Sequence, residues 1–296
     1  MGLPYFYRHS GLTVASHWDL PEWASFASTA ESPDVRIVLS DRDWPDCPTE
    51  GCMVDGQALR FAVEGVGSWQ IEGGHTIQLY PHTDAQPPEL RLYTLGSAWA
   101  ALGYMRGAAM WHASAIARGG HGVLLCGESG QGKSTLAAAL VARGANLVSD
   151  DLARVEPGGA GRVYPSATRI KLWSQAIAQL GWDSRKVQRD WYREDKFQCE
   201  APRALGKCPP VKLAAIVSLE EGATVRLTRL EGTEALETVL RQTMFRPEMI
   251  DALGAWGEQG AMAARIVSQC PVYRLARPRD LARLGAACEA VEALFN

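Results

Sequence analysis

"LLCGESGQGKSTLAAAL", residues 124–140, decides the fold. It reads as a short apolar strand, a glycine-rich turn and an alanine-rich helix with Lys133, Ser134 and Thr135 at its start. The run Gly127-Glu128-Ser129-Gly130-Gln131-Gly132-Lys133-Ser134 fits G-x-x-x-x-G-K-[ST] in full, in the strand–turn–helix setting that the motif requires. Its glycines let backbone N–H groups converge on the phosphates of a nucleotide at a helix N-terminus. Lys133 brings a mobile positive charge to the terminal phosphates, and the Ser134 hydroxyl is a ligand for the Mg²⁺ that a triphosphate carries. A turn used only to reverse the chain would need neither side chain. Residues 127–135 are therefore the nucleotide-binding candidates.

Working outward, "NLVSDD" reads as the strand after the P-loop helix and ends in Asp150 and Asp151. In a parallel α/β sheet that strand end lies at the carboxyl edge, where the phosphates sit. Two carboxylates there suit a division of labour, one toward the metal and one accepting the proton of an attacking hydroxyl. A helix or turn cap is the plainer alternative, and position argues against it. Translocating ATPases and switch GTPases place the corresponding acid farther along, and the chain has no Asn-Lys-x-Asp signature. The short spacing leans toward a kinase.

Upstream, residues 1–85 alternate short apolar runs ("VRIVLSD", "SWQIEGG", "HTIQLYP") with Gly, Pro and Asp, the punctuation of a small, mostly antiparallel β region. "TDAQPPEL" reads as a linker and "RLYTLGSAWAALGYMRGAAM" as a buried helix. A boundary is expected near residue 85, giving an N-terminal β-rich domain (1–85) and an α/β P-loop domain (86–296). Downstream, a hairpin is expected around Gly158–Gly161, a helix near Trp173–Leu180, a polar stretch, then strands at "LAAIVSLE", "TVRLTRL" and "PVYRLA".

Composition narrows the function classes. With 30 Lys and Arg against 33 Asp and Glu, the formal charge is -3, so no general basic field draws nucleic acid or anionic lipid. No apolar run is long enough to span a bilayer and no signal pattern opens the chain, so a cytoplasmic protein is expected, without a nucleic-acid or membrane partner. The seven cysteines are odd in number and scattered, which suits reduced thiols. Cys47 and Cys52 are closest, but no second pair with ligand spacing accompanies them, and no zinc site is expected.

The window from His112 to Asp151 resembles the HPr kinase/phosphorylase-like P-loop serine kinases. His112 stands before the loop as the family's histidine does, "GESGQGKS" is similar to its G-D/E-S-G-x-G-K-S, and "RGANLVSDD" is similar to its RGHxLxADD. From "DDLARVEP" through "VYPSATRIKLW" the chain looks more like the HPr-kinase-related proteins of ribosomal-peptide clusters, including lasso-peptide tail kinases. The resemblance implies an HPr-kinase C-terminal-like fold using ATP and Mg²⁺. It also implies γ-phosphoryl transfer to a serine of a peptide or small protein, such as a lasso-type precursor. Ser134-Thr135 replaces the family's Ser-Glu, its glycine- and isoleucine-rich second signature is absent between Pro157 and Leu213, and residues 1–85 do not match its N-terminal domain. Phosphorylase activity and HPr as acceptor are accordingly not carried over. Oligomeric state stays open, a homo-oligomer included.

In this frame Asp150 is assigned as base, with Asp151 and Ser134 toward the metal, and the two Asp roles are open to exchange. His112 would bond a phosphate or orient an acid. Among the cations Arg169, Lys171, Lys196, Arg241 and Arg246, Lys196 and then Arg169 are favoured for charge on the transferring group. Two other readings remain: a small-molecule kinase of the shikimate- or gluconate-kinase sort, disfavoured by the long region before Gly127, and a non-catalytic nucleotide-sensing module.

Overall fold

The computed structural model describes residues 3–29, 32–40, 51–157 and 159–295. The chain divides into two units, Met1–Met110 with Phe245–Gln259, and Trp111–Met244 with Gly260–Asn296.

In the first unit, alternating apolar residues build one sheet. Its strands are β1 (Tyr5–His9), β2 (Leu12–Ser16), β3 (Val35–Leu39), β4 (Cys52–Asp55), β5 (Ala58–Val63), β6 (Gly67–Glu72) and β7 (Thr76–Pro81), in the order β1-β2-β3-β7-β6-β5-β4. β4 to β7 form an antiparallel meander, whereas β3 pairs parallel with both β2 and β7. Leu59, Phe61, Trp69, Ile71, Ile77 and Leu79 fall at every second position and are buried. The facing Phe61 and Trp69 rings stack at 5.0 Å.

The second half of the expected linker opens helix α1 (Pro87–Tyr93), whose prolines sit in the first turn, where a missing N–H costs little. A π turn (Thr94–Ala98) joins it to α2 (Trp99–Met105). The buried Trp69 indole donates to Thr94 Oγ1 at 2.9 Å, and Leu90, Trp99 and Leu102 are buried too. This unit therefore keeps the helices, and its edge lies at Met110 where the sequence suggests residue 85. β8 (Ala109–Trp111) leads into the second unit.

The second unit holds β9 (Ser114–Arg118), β10 (His121–Cys126), α3 (Lys133–Ala142), β11 (Asn146–Ser149), β12 (Ala153–Glu156), β13 (Arg162–Val163), β14 (Arg169–Trp173), α4 (Ser174–Leu180), β15 (Lys186–Arg189), β16 (Lys196–Glu200), β17 (Val211–Glu221), β18 (Arg226–Leu230) and α5 (Gly232–Thr243). After α6 (Pro247–Ala252) and α7 (Trp256–Val267) come β19 (Val272–Arg277) and α8 (Leu284–Glu292). The main sheet runs β11-β9-β10-β17, with β13 and β19 both pairing β17. β10, β17 and β19 are parallel. β9 is antiparallel to both β10 and β11, so β11 shares the direction of β10 across it. The P-loop and the Asp pair thus leave the same sheet edge with an antiparallel strand between them, rather than from adjacent parallel strands. His112 lies just past β8, not on it.

Helix α3 is apolar nearly all round, and Leu136 through Val141 are buried between the sheet and the residues of α8. The stretch read as polar is a three-stranded antiparallel sheet, β14-β16-β15. Its Ile170, Leu172 and Cys199 join the same core. The hairpin expected at Gly158–Gly161 is the β12–β13 pair, with Gly158 outside the described residues. Cys47 also lies outside them, and Cys52, Cys126, Cys199, Cys208, Cys270 and Cys288 are free thiols. No described helix is long and apolar enough to cross a membrane.

Candidate active site at the P-loop edge

β10 ends at Cys126, and the loop re-enters α3 through Gly132, whose φ of +79° suits glycine. A Cβ at Gly132 would also meet the Arg277 guanidinium. Glu128, Ser129 and Gly130 are exposed, while Lys133 is 7% exposed. The Lys133 ammonium folds back over the loop and donates to the carbonyls of Gly127 (2.7 Å) and Glu128 (3.2 Å). Burial lowers its pKa. Ser134 and Thr135 lie half-buried in the first turn of α3.

Asp150 follows β11 and accepts three hydrogen bonds: Ser114 Oγ (2.6 Å) and Ser134 Oγ (2.8 Å) donate to Oδ1, and the Lys171 backbone N–H (2.9 Å) donates to Oδ2. Burial, then the neighbouring Asp151 charge, push its pKa up to about 6 against those bonds. Asp151 takes a left-handed backbone, φ +65°, and its Oδ2 meets Lys171 Nζ at 2.8 Å. Burial works against its charge, yet the Lys171 and Lys196 ammonium groups outweigh it and hold the carboxyl well below the usual range. Asp151 in turn raises the Lys171 pKa. Two adjacent acids are thus driven in opposite directions, Asp150 upward chiefly by burial and Asp151 downward by the ammonium groups near it.

His112 is half-buried, and its backbone N–H donates to Thr243 O at 2.6 Å. Burial, then the Lys133 charge, lower its pKa and favour neutral imidazole, within electrostatic reach of Asp151, Lys196 and Lys171. Lys196 opens β16 opposite Trp173, with Nζ 5.8 Å from the indole centroid. Its charge acts on Asp151, Lys133 and His112 alike.

Of the five cations weighed from sequence, Lys171 makes the direct contact, although Lys196 and Arg169 rank above it there. Arg241 is exposed on α5, and Arg246 lies in the other unit, 3.6 Å from Glu248. Two further participants go unmentioned in the sequence reading. Ser114, two residues past His112, bonds Asp150 from the intervening strand β9. Arg277, at the end of β19, is 6% exposed and donates to Gln131 O (2.8 Å) and Pro278 O (3.2 Å), while its Nε has no hydrogen-bond partner among the described residues.

The donor set fits Mg²⁺. Asp150 and Ser134 offer hard oxygens side by side, and the described residues contain no cluster of three or more His, Cys, Asp or Glu able to cage a metal. Mg²⁺ ordinarily takes one or two carboxylates and completes its shell with water and substrate phosphates.

The family profile of the HPr Serine kinase C-terminal domain matches residues 105–178, which contain the loop, both acids, Ser114, Lys171 and His112. The HPr kinase/phosphorylases of Bordetella petrii and Bordetella pertussis are each 30% identical over 157 residues, covering 49% of this chain and 51% of theirs. The chain thus spans about half the length of the curated relatives it matches. A solved structure, the Hpr(Ser) kinase/phosphatase of Coxiella burnetii, aligns with 15% identity over 62% of this chain and 94% of its own, at a TM-score of 0.31, a likeness too slight to weigh. On its sequence matches, the P-loop part of this chain is HPr-kinase-like.

Proposed function

We propose that the protein is an ATP- and Mg²⁺-dependent kinase that transfers the γ-phosphoryl group to a serine hydroxyl of a peptide or small protein, a lasso-type precursor peptide being the acceptor that the chain's resemblance favours. One observation carries the reading: Asp150 bonds the P-loop hydroxyl of Ser134 while Asp151, next to it, is held by Lys171. A nucleotide site alone would not need the second acid.

The hydrogen bonds favour the exchanged assignment of the acids. Asp150, fixed by Ser114 and Ser134, would hold Mg²⁺ together with the Ser134 hydroxyl. When bound, the ion neutralises charge on the phosphate oxygens. Asp151, with 38% of its side chain exposed, would accept the hydrogen bond of the acceptor hydroxyl. The new bond joins the serine oxygen to the γ-phosphorus, the bond from that phosphorus to the β–γ bridging oxygen breaks, and ADP leaves with the electron pair. The serine proton passes to Asp151. A weakly basic carboxylate suffices, because the loose transition state of phosphoryl transfer gathers little negative charge on the attacking oxygen, and the carboxylate chiefly orients it. Lys133, Lys171 and Lys196 surround the transferring group with positive charge, and the loop amides hold the remaining phosphates. The β-rich first unit would serve acceptor selection.

The test is incubation with ATP, Mg²⁺ and serine-bearing peptides, reading added phosphate by mass. Asp151→Asn is expected to bind Mg²⁺–nucleotide as the parent does and to lose transfer. Asp150→Asn is expected to lose the Mg²⁺ dependence of nucleotide binding as well. Transfer that survives in Asp151→Asn would refute the assignment.

A further inference from the structure

The small sheet has two faces. On β14, Ile170 and Leu172 are each 1% exposed and enter the core, so the alternate residues Lys171 and Trp173 point the other way. Their partners on β16, Gln198 opposite Lys171 and Lys196 opposite Trp173, share that outer face. At the end of β15 the chain turns through Asp190, whose backbone N–H donates to Lys196 O (2.8 Å). Its carboxylate, in a residue 8% exposed, accepts from the backbone N–H of Tyr192 (3.2 Å) and Arg193 (3.1 Å). That pinned turn presents Trp191, 41% exposed, and Tyr192, 56% exposed, and is bonded to Lys196, whose ammonium lies over Trp173, itself 46% exposed. Among the described residues, Trp173, Val187, Trp191 and Tyr192 make up half of the eight large hydrophobic side chains left exposed, and all four belong to the small sheet or the turn that follows β15. Arg193 in the turn and Lys196 opposite Trp173 flank them, and neither has an ion-pair partner among the described residues.

This surface is continuous with the site. Lys171 holds Asp151 at 2.8 Å, and Trp173 with Lys196 is one strand repeat farther on. Two residues of strand span about 6.6 Å, the same step as two residues of an extended peptide. A serine seated at Asp151 therefore carries its second or third neighbour onto the Trp173–Lys196 pair.

We propose that the outer face of β14 and β16, together with the turn at residues 190–193, is the acceptor-docking shelf. It selects an extended peptide whose serine has a large apolar side chain two or three residues away and carboxylates beside it. The apolar side chain covers the exposed indoles, and the carboxylates meet Arg193 and Lys196. The shelf deepens the kinase reading and rests on it for where the serine sits.

The experiment uses the full chain with ADP or ATP and Mg²⁺, and short peptides with a single serine. One peptide carries Phe and Glu around the serine, a second has Ala in place of Phe, and a third has Lys in place of Glu. Peptide binding is followed by calorimetry in the presence of ADP, and transfer by mass with ATP. The Phe/Glu peptide is expected to bind about tenfold more tightly than either control, about 1.4 kcal/mol, because one control loses the aromatic anchor and the other sets like charges together. Trp173→Ala and Tyr192→Ala should each erase that preference, Trp173→Phe should keep most of it, and ADP affinity should stay unchanged in all three. Equal binding of the three peptides, or a preference that survives Trp173→Ala and Tyr192→Ala, overturns the shelf. Shelf-dependent binding with no phosphate added to any peptide sinks the kinase reading and leaves the shelf standing. Transfer that ignores the flanking residues does the reverse.

Discussion

Ser114→Ala gives the sharpest test of how the site is poised. The hydroxyl is fully buried, donates to Asp150 Oδ1 at 2.6 Å and stabilises the carboxylate. A hydrogen bond to a charged group contributes about 1.5–3 kcal/mol, and one pKa unit corresponds to about 1.4 kcal/mol. Taking the lower figure, the substitution lifts the Asp150 pKa by about one unit from its value of about 6. On the proposed assignment the ionised form would hold the metal, so activity is expected to fall as pH drops through this pKa. At pH 6 the ionised fraction falls from about one half to about one tenth, a loss of roughly fivefold. At pH 7 the loss is about twofold, and at pH 8 it nearly disappears. The assay is kcat/KM for Mg²⁺–nucleotide across pH 5.5–8.5, which reports ionisations of the free enzyme. A loss of equal size at every pH would show that Ser114 acts on shape alone and would refute the argument.

Two further outcomes are expected. Arg277→Met removes the donor to Gln131 O and leaves that carbonyl unheld, so KM for nucleotide should rise about tenfold with kcat little changed, as for a loss of about 1.4 kcal/mol of ground-state binding; a KM within twofold of the parent would count against the guanidinium as a support of the loop. Glu292 ties Arg143 (2.7 Å) and Arg118 (3.0 Å) to α8, and the Arg143 hydrogen bond holds its pKa below the ordinary value. The pair stabilises the fold above an unfolded pKa near about 4.3, and that contribution disappears as pH falls through the depressed folded value. Glu292→Gln should cost about 1 kcal/mol in urea unfolding at pH 7, the arginines being partly screened by solvent, and nearly nothing at pH 3. A cost independent of pH would contradict it.

What could be read from the sequence follows what is contiguous in it. The phosphate loop is legible because its N–H groups must come from consecutive residues, and the acids because one helix and one short strand fix their distance from Lys133. Lys171, Ser114 and Arg277 act through pairings made elsewhere in the chain. Lys171 reaches Asp151 only because β14 pairs with β16, in a stretch whose exposed face breaks the apolar pattern. Arg277 supports a carbonyl 146 residues upstream. The edge between the units, at Met110, is hard to read from sequence for the same reason. Prolines that punctuate a linker also open helices, and long-range contacts such as the Trp69–Thr94 bond show which sheet the helix covers.

The inserted strand β9 explains why the two acids differ. Were β10 and β11 adjacent, Asp150 and Asp151 would face the loop on similar terms. With β9 between them, Ser114 lies between Ser134 and the end of β11, and Asp150 becomes the shared acceptor of both hydroxyls. The left-handed turn at Asp151 then sends the second carboxylate out toward Lys171 and the outer face of the small sheet. One acid is turned to the loop and its neighbour to Lys171, an arrangement that suits the proposed transfer between two substrates. An αL turn costs an Asp less than most side chains, since its short polar group tolerates that region. Replacing Asp151 with Val would therefore lose the carboxylate and strain the turn together. Asp151→Asn keeps the turn, and is the substitution that isolates the chemistry.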